Sequence, residues 1–162
     1  MYDYDDIDDD YHKITYNMLK DKTNVPDKYI IFDCYNKNLT ELPKLHDNIK
    51  TLYCPNNNLT ILQKLPKYLT VLDCSCNNLI ELPILPKSIY ILCCSHNNLT
   101  ELPELSYGLE QFECCYNNIK YLSEYNVEII KNIDPIFLEV LNNPFSNNFQ
   151  TNEDFIESLI DN

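Results

Sequence analysis

Apolar and polar positions along the chain recur with a period of twenty residues and without a gap. Cys34, Cys54, Cys74, Cys94 and Cys114 fall in one column, with Phe32, Leu52, Leu72, Leu92 and Phe112 two places before it. Leu39, Leu59, Leu79, Leu99 and Ile119 form a third apolar column, and Leu42, Leu62, Leu82, Leu102 and Leu122 a fourth. Ile49, Leu69, Ile89 and Leu109 complete the frame, flanked by Tyr29 and Ile129. Within a unit, Leu52 and Cys54 bracket Tyr53 at period two, which predicts a short strand with Leu and Cys turned inward and Tyr outward. Every unit repeats the same turn, so successive strands run the same way and form a parallel sheet with a spacing of about 4.8 Å. The return half of each unit carries prolines, as in Glu81-Leu-Pro83-Ile-Leu-Pro86. Proline fixes φ and favours an extended, polyproline-like path over a helix. One such unit cannot enclose its apolar side alone, so stacking supplies the stability and both ends need caps.

The unit Ile49-Lys-Thr-Leu52-Tyr-Cys54-Pro-Asn-Asn57-Asn-Leu59 resembles the leucine-rich repeat, whose core segment is L-x-x-L-x-L-x-x-N/C-x-L. With the return segments Thr40-Glu-Leu-Pro43 and Thr100-Glu-Leu-Pro103, it is similar to the short Leu-Pro class found in type III secreted effectors of bacteria and in leucine-rich-repeat proteins of giant viruses. The resemblance implies a leucine-rich-repeat solenoid with a parallel β-sheet on the concave side, extended convex segments and short C-terminal capping helices. Some effectors of this type carry a ubiquitin-ligase domain with a catalytic Cys after the repeats, but here no Cys follows Cys115.

The expected organisation is a disordered acidic tail over 1–10, a cap or degenerate repeat over 11–28, five repeats over 29–128 and a C-terminal cap over 129–162. In the opening segment Ile14, Asn17, Leu19 and Pro26 fit the twenty-residue frame, whereas His12 and Lys22 do not. Past Leu122 the frame decays, with Asn132 and Asp134 where Leu and Cys would stand. Asp134-Pro135 reads as an N-cap followed by Pro at the first helical position, predicting a helix through about Leu141. Thr151-Asn-Glu-Asp154 reads as a capping box ahead of a helix with Phe155, Ile156, Leu159 and Ile160 on one face. Asn57, Asn77, Asn97 and Asn117 sit where the chain leaves each strand, and an inward Asn there can both donate to and accept from loop backbone groups. Lys37 takes that place in the first unit.

Composition narrows the functional classes. The 162 residues contain no Arg and no Ala, and 25 acids against 12 lysines give a net charge of −13, with six acids in the first ten positions. Such a surface repels nucleic acid and anionic membranes over a Debye length of about 8 Å. One Gly removes any glycine-rich phosphate loop. No run approaches the roughly 18 to 20 apolar residues of a membrane span, and the start lacks a signal-peptide pattern, so the expectation is a soluble, unprocessed chain in the cytoplasm, or in the host cytoplasm for a viral or effector protein.

Eight cysteines admit three readings. Cys34, Cys54, Cys74, Cys94 and Cys114 read first as a ladder of buried thiols acting as small hydrophobes. Disulfides between rungs are a second reading, opposed by side chains that point the same way and by the absence of a secretion signal. Cys76 and His96 share a slot in adjacent coils, with Cys93 and Cys115 in other slots; a metal-binding or regulatory cluster is the third, weakened by the lack of a C-x-x-C element. Metal and cofactor are both expected to be absent. Asp33, Asp73 and Glu113 share a column at two-coil intervals, near 10 Å and wide of glycosidase pairings of about 5 to 9.5 Å. Nucleophile, base and orienting group cannot be assembled, so no enzyme activity is expected.

The outward columns vary where the core columns do not. Asp33, Tyr53, Asp73, Cys93 and Glu113 form the central one, preceded by Ile31, Thr51, Val71, Ile91 and Gln111, with Tyr90 and Tyr116 on the flanks. The leading reading is a noncatalytic protein-interaction module that uses Asp33, Tyr53, Asp73, Tyr90, Cys93, Glu113 and Tyr116 to bind another protein bearing a basic patch. The alternative is a structural repeat protein without a strong partner. Oligomeric state is open, since terminal strands expose unpaired backbone groups.

Overall fold

The computed structural model describes residues 13–19, 25 and 27–160. The acidic tail over 1–10, His12, Lys22 and Pro26 lie outside the described residues. Seven strands make one sheet in chain order: β1 (Lys13–Thr15), β2 (Ile31–Asp33), β3 (Thr51–Tyr53), β4 (Val71–Asp73), β5 (Ile91–Cys93), β6 (Gln111–Glu113) and β7 (Leu138–Glu139). All neighbours pair in parallel, and from β2 to β6 the register steps by the repeat length: Phe32 lies beside Leu52, then Leu72, Leu92 and Phe112. Each coil therefore adds one strand to a leucine-rich-repeat solenoid.

The inward column Phe32, Leu52, Leu72, Leu92 and Phe112 is wholly buried, as is the Cys34 to Cys114 column beside it. A three-residue strand turns only its middle residue inward, and the Cys two places on is where the chain begins its corner, in the space one small apolar side chain can fill. The return segments of the first four coils contain neither helix nor long strand. Each instead closes a repeated turn, in which Ile49 N–H donates to His46 O, Leu69 to Pro66, Ile89 to Pro86 and Leu109 to Ser106, all at 3.1 Å. Leu65, Leu85 and Leu105 plug the core from this convex side.

The two ends depart from the frame. Ile14 pairs with Phe32, an offset of 18, so it occupies the Leu column and not the Cys column that a twenty-residue step assigns to it. Strand pairing across an irregular loop is fixed by hydrogen bonds to the neighbouring strand, and a loop two residues shorter moves the register with it. At the other end the helix expected from Asp134 to Leu141 is replaced by a single 3-10 turn over Pro135–Phe137 followed by β7. Asp134 does cap that turn, its Oδ1 accepting from Ile136 N–H at 3.0 Å. Beyond it, pairing with the open edge of β6 takes the chain.

Nor does the frame end at Leu122. Leu138 lies beside Phe112, an offset of 26, and Val140 and Asn143 follow in the places of Cys114 and Asn117. The six extra residues are absorbed by α1 (Glu124–Ile130), a helix not anticipated from the sequence, whose N-cap Ser123 accepts from Asn126 N–H. Buried Asn126 ties it to the preceding coil, accepting from Leu105 N–H at 2.9 Å and donating to Pro103 O at 3.0 Å. The final helix α2 (Asn152–Ile160) opens on a reciprocal capping box: Thr151 N–H to Asp154 Oδ2 at 3.2 Å and Asp154 N–H to Thr151 Oγ1 at 3.0 Å. Its Phe155 and Ile156 are buried against the last coil, with Phe155 packed on Phe145 and Phe149. Among the described residues no helix is long and apolar enough to cross a membrane.

Candidate binding face

Below the face runs a polar frame that holds it. The Asn57 side chain Oδ1 accepts from Lys37 and Leu39 N–H, both at 3.0 Å, and its Nδ2 donates to Cys34 O at 2.9 Å and Cys54 O at 3.1 Å. Asn77, Asn97 and Asn117 repeat this, each reaching back to the Cys carbonyl of the preceding coil. Asn143 continues the ladder, donating to Cys114 O at 2.8 Å and accepting from Ile119 N–H at 3.2 Å. One side chain thus satisfies backbone groups of two coils that would otherwise be buried unpaired. The corner that follows each strand requires a positive φ at Asn36, Asn56, Cys76, His96, Tyr116 and Asn142. Asn tolerates this region better than other side chains. Cys76→Asn is accordingly expected to raise the urea midpoint, with a gain of about 1 kcal/mol.

The outward side of the sheet consists of two parallel rows. One is Asp33, Tyr53, Asp73, Cys93, Glu113 and Glu139, paired residue to residue across β2 to β7. Beside it, two residues back along each strand, run Ile31, Thr51, Val71, Ile91 and Gln111. Of the residues singled out in the sequence, Asp33, Tyr53, Asp73, Cys93 and Glu113 therefore come together in one line. Tyr90 stands just before β5 on the side of the apolar row, and Tyr116 at the corner after β6; both are exposed. Tyr116 does not join the row, because its backbone has already turned into the positive-φ corner, and its ring stacks on His96 with centroids 4.4 Å apart. Glu139, and Phe137 before it, extend the face by one strand. The sequence signal for them was Leu138-x-Val140-x-x-Asn143, the repeat core displaced from the twenty-residue frame.

Several of these carboxylates have partners in the fold. Asp33 Oδ1 accepts from Tyr35 N–H at 2.9 Å while Oδ2 pairs with Lys13 Nζ at 2.9 Å. Asp73 Oδ1 accepts from Ser75 N–H at 3.0 Å, so both Asp residues also brace the chain as it leaves the strand. Glu113 Oε1 accepts from Gln111 Nε2 at 2.6 Å. Burial raises the Asp73 carboxyl above its usual range despite the Ser75 bonds, and Glu113 and Asp33 add to the rise. The Tyr53 phenol is pushed up by burial and then by Asp73.

The thiols of the face are poor nucleophiles. Burial raises Cys93 and the carboxylates Glu113 and Asp73 reinforce it. Cys115 is raised by burial and by Glu139, although a 3.2 Å contact to Ser95 Oγ acts the other way. Among the described residues neither has a cation or an imidazole acting on it to stabilise a thiolate, the condition for a reactive Cys. The His96 ring lies on Tyr116, and among the described residues no group of three or more His, Cys, Asp and Glu side chains is placed to hold a metal ion.

No family model matches the chain, and no curated protein does. Among solved structures the fold is similar to YopM from Yersinia enterocolitica, 35% identical over 62% of this chain and 22% of that one, with a TM-score of 0.61. It is also similar to the leucine-rich-repeat domain of a Shigella effector, 28% identical over 72% of this chain and 55% of that one, with a TM-score of 0.65. The chain spans less than a quarter of the first structure and little more than half of the second. With one parallel strand per coil, an Asn ladder at the corners and proline-bearing return segments, the chain is a leucine-rich-repeat solenoid similar to the short-repeat domains of bacterial effectors.

Proposed function

We propose that the chain is a noncatalytic protein-binding module, and that the outward face of the sheet is where it binds. The observation that carries this reading is the contrast between a frame repeated from coil to coil and an outward row that varies from Asp to Tyr to Cys to Glu over the same strands. Packing requires the frame to repeat, whereas nothing in the solenoid requires Tyr53 or Glu113 to be what they are. A stacked-repeat protein offers an extended concave surface of this kind for protein recognition. Asp33, Tyr53, Asp73, Tyr90, Cys93, Glu113 and Tyr116 are the proposed contacts. Tyrosines supply rigid anchors of large area, and the acids favour a partner with a basic surface. Raised, unactivated thiols argue against covalent chemistry at the same face. The proposed setting is the cytoplasm, that of a host if the protein acts as an effector.

The test is a comparative pull-down from lysate with wild type and a Tyr53→Ala, Asp73→Lys, Glu113→Lys variant that retains cooperative urea unfolding. A protein captured by wild type and depleted at least tenfold from the variant is the expected result. Identical capture by both overturns the assignment of binding to this face.

A further inference from the structure

The proposed binding face has dimensions and a charge pattern that select among partners. Each strand of β2 to β6 is three residues long. At a rise of about 3.3 Å per residue the face is about 10 Å wide, the diameter of one α-helix with its side chains. Seven strands at about 4.8 Å make it about 29 Å long, the length of a helix of about 19 residues. The face thus matches in width and length one helix lying along the solenoid axis, across the strands.

From β2 onward the two rows differ in chemistry, while in β1 Lys13 stands beside Ile31 and pairs with Asp33. The row with Ile31, Val71 and Ile91 is largely apolar, with Val71 itself buried; the other carries Asp33, Asp73 and Glu113 on alternate strands and Glu139 on the strand after Glu113. Two strand intervals separate successive acids by about 9.6 Å. A partner must therefore place cations about 10 Å apart on one side. In an α-helix residues i and i+7 lie on one side about 10.5 Å apart. In an extended strand the matching step is three residues, which places alternate cations on opposite faces. A β-strand partner is thereby mismatched, whereas a helix is not. A polyproline helix, at about 3.1 Å per residue and three residues per turn, also matches the interval, but it is slimmer and leaves the apolar row uncovered.

Resting on the binding reading above, we infer that the partner element is a basic amphipathic α-helix lying along the concave face, with Lys or Arg seven residues apart over Asp73 and Glu113, a third seven residues on replacing Lys13 at Asp33, and an apolar stripe over Ile31 and Ile91. Charge complementarity and the width of one helix select it together.

The test uses three labelled 21-residue peptides of equal charge and fluorescence anisotropy. One is helix-patterned, with Lys at positions 3, 10 and 17 and Leu at 6, 13 and 20. The second has the same composition rearranged to alternate as a strand, and the third is proline-rich with its three Lys at positions 8, 11 and 14. Each is titrated with wild type and with Asp73→Lys/Glu113→Lys; Glu139→Lys, at an exposed position, is the companion variant should the double change unfold. The expected result is at least tenfold tighter binding of the helical peptide than of either other, weakened at least tenfold by the charge reversals. If the strand or proline peptide binds as tightly and the reversals still weaken it, the helical partner is overturned while the face stands. If the helical peptide binds wild type and variants alike, the face itself is overturned as its site. Absence of binding by all three overturns the basic helical partner, and the pull-down then decides the face independently.

Discussion

Raising the pH of the reduced protein from 8 to about 10 is expected to unfold it. Burial pushes the Cys34 thiol up to about 12, and Cys54, Cys74, Cys94 and Cys114 also stand well above their ordinary value, with burial the leading cause in each and neighbouring charges or thiols adding to it. In the unfolded chain the same thiols ionise near pH 8.5. A group whose folded pKa is raised contributes stability that is complete below its unfolded pKa and is lost as pH rises above it. Each buried thiol then removes about 1.4 kcal/mol per pH unit, and five together about 7 kcal/mol per unit. A domain of ordinary stability, about 5 to 15 kcal/mol, is exhausted within one or two units. Urea midpoints measured with reductant at pH 7, 8, 9 and 10 should hold to pH 8 and then fall steeply. Cys93, and to a smaller extent Cys76 and Cys115, are raised as well and share the slope, so in Cys74→Ala/Cys94→Ala it should shrink by about a quarter to a third. A slope unchanged by removing two of the five column thiols would show that the column is not its main source. The same burial predicts that native column thiols react with a neutral alkylating reagent at pH 8 at least about 10³-fold more slowly than in urea, since three units of pKa reduce the thiolate fraction by that factor.

Asn97→Ala should cost about 3 to 5 kcal/mol. Asn97 Nδ2 donates to Cys74 O at 3.0 Å, Cys94 O at 3.1 Å and Ser95 O at 3.3 Å, and its Oδ1 accepts from Leu79 N–H at 3.0 Å. Truncation leaves buried backbone groups of two coils without their partner, at about 1 to 3 kcal/mol for each group left unsatisfied. The position is central, so water cannot reach these groups without parting the coils. Asn97→Asp should be no rescue at pH 7, because a carboxylate accepts but cannot donate to the three carbonyls. Denaturant unfolding of the two variants beside Lys37→Ala, which alters the same column at a half-buried site in the first repeat, measures the difference. A loss at Asn97 no greater than at Lys37 would refute the ladder as a source of stability.

How far the molecule could be read from its sequence is seen in individual residues. Asp33, Tyr53, Asp73, Cys93 and Glu113 were assigned to one line on periodicity, and pairing across β2 to β6 puts them there. Tyr116 was assigned to the same face, yet its φ of 55° at the corner turns it toward His96. A column alignment records spacing along the chain but carries no dihedral angle, so it cannot separate a strand residue from the corner three places on. Cys76 and His96 share a slot in the same way, yet the His96 ring packs on Tyr116, because sharing a slot does not decide which neighbour a ring packs against.

Sequence by itself determined the elements whose cause is local and repeated. These are the parallel strands of the five in-frame coils, the inward Leu and Cys columns, the Asn at each corner and the capping box of α2, because each depends on spacings of a few residues that recur or carry their own hydrogen bonds. Tertiary structure alone decided the two ends. Ile14 sits 18 residues before its partner and Leu138 sits 26 after its own, with α1 taking up the excess. The open edges of β2 and β6 present unpaired N–H and C=O groups that bind whichever segment can reach them in register. That energy resides in the pairing and not in the segment, so Leu138-Glu139 becomes a strand although its flanking Asp-Pro announces a helix.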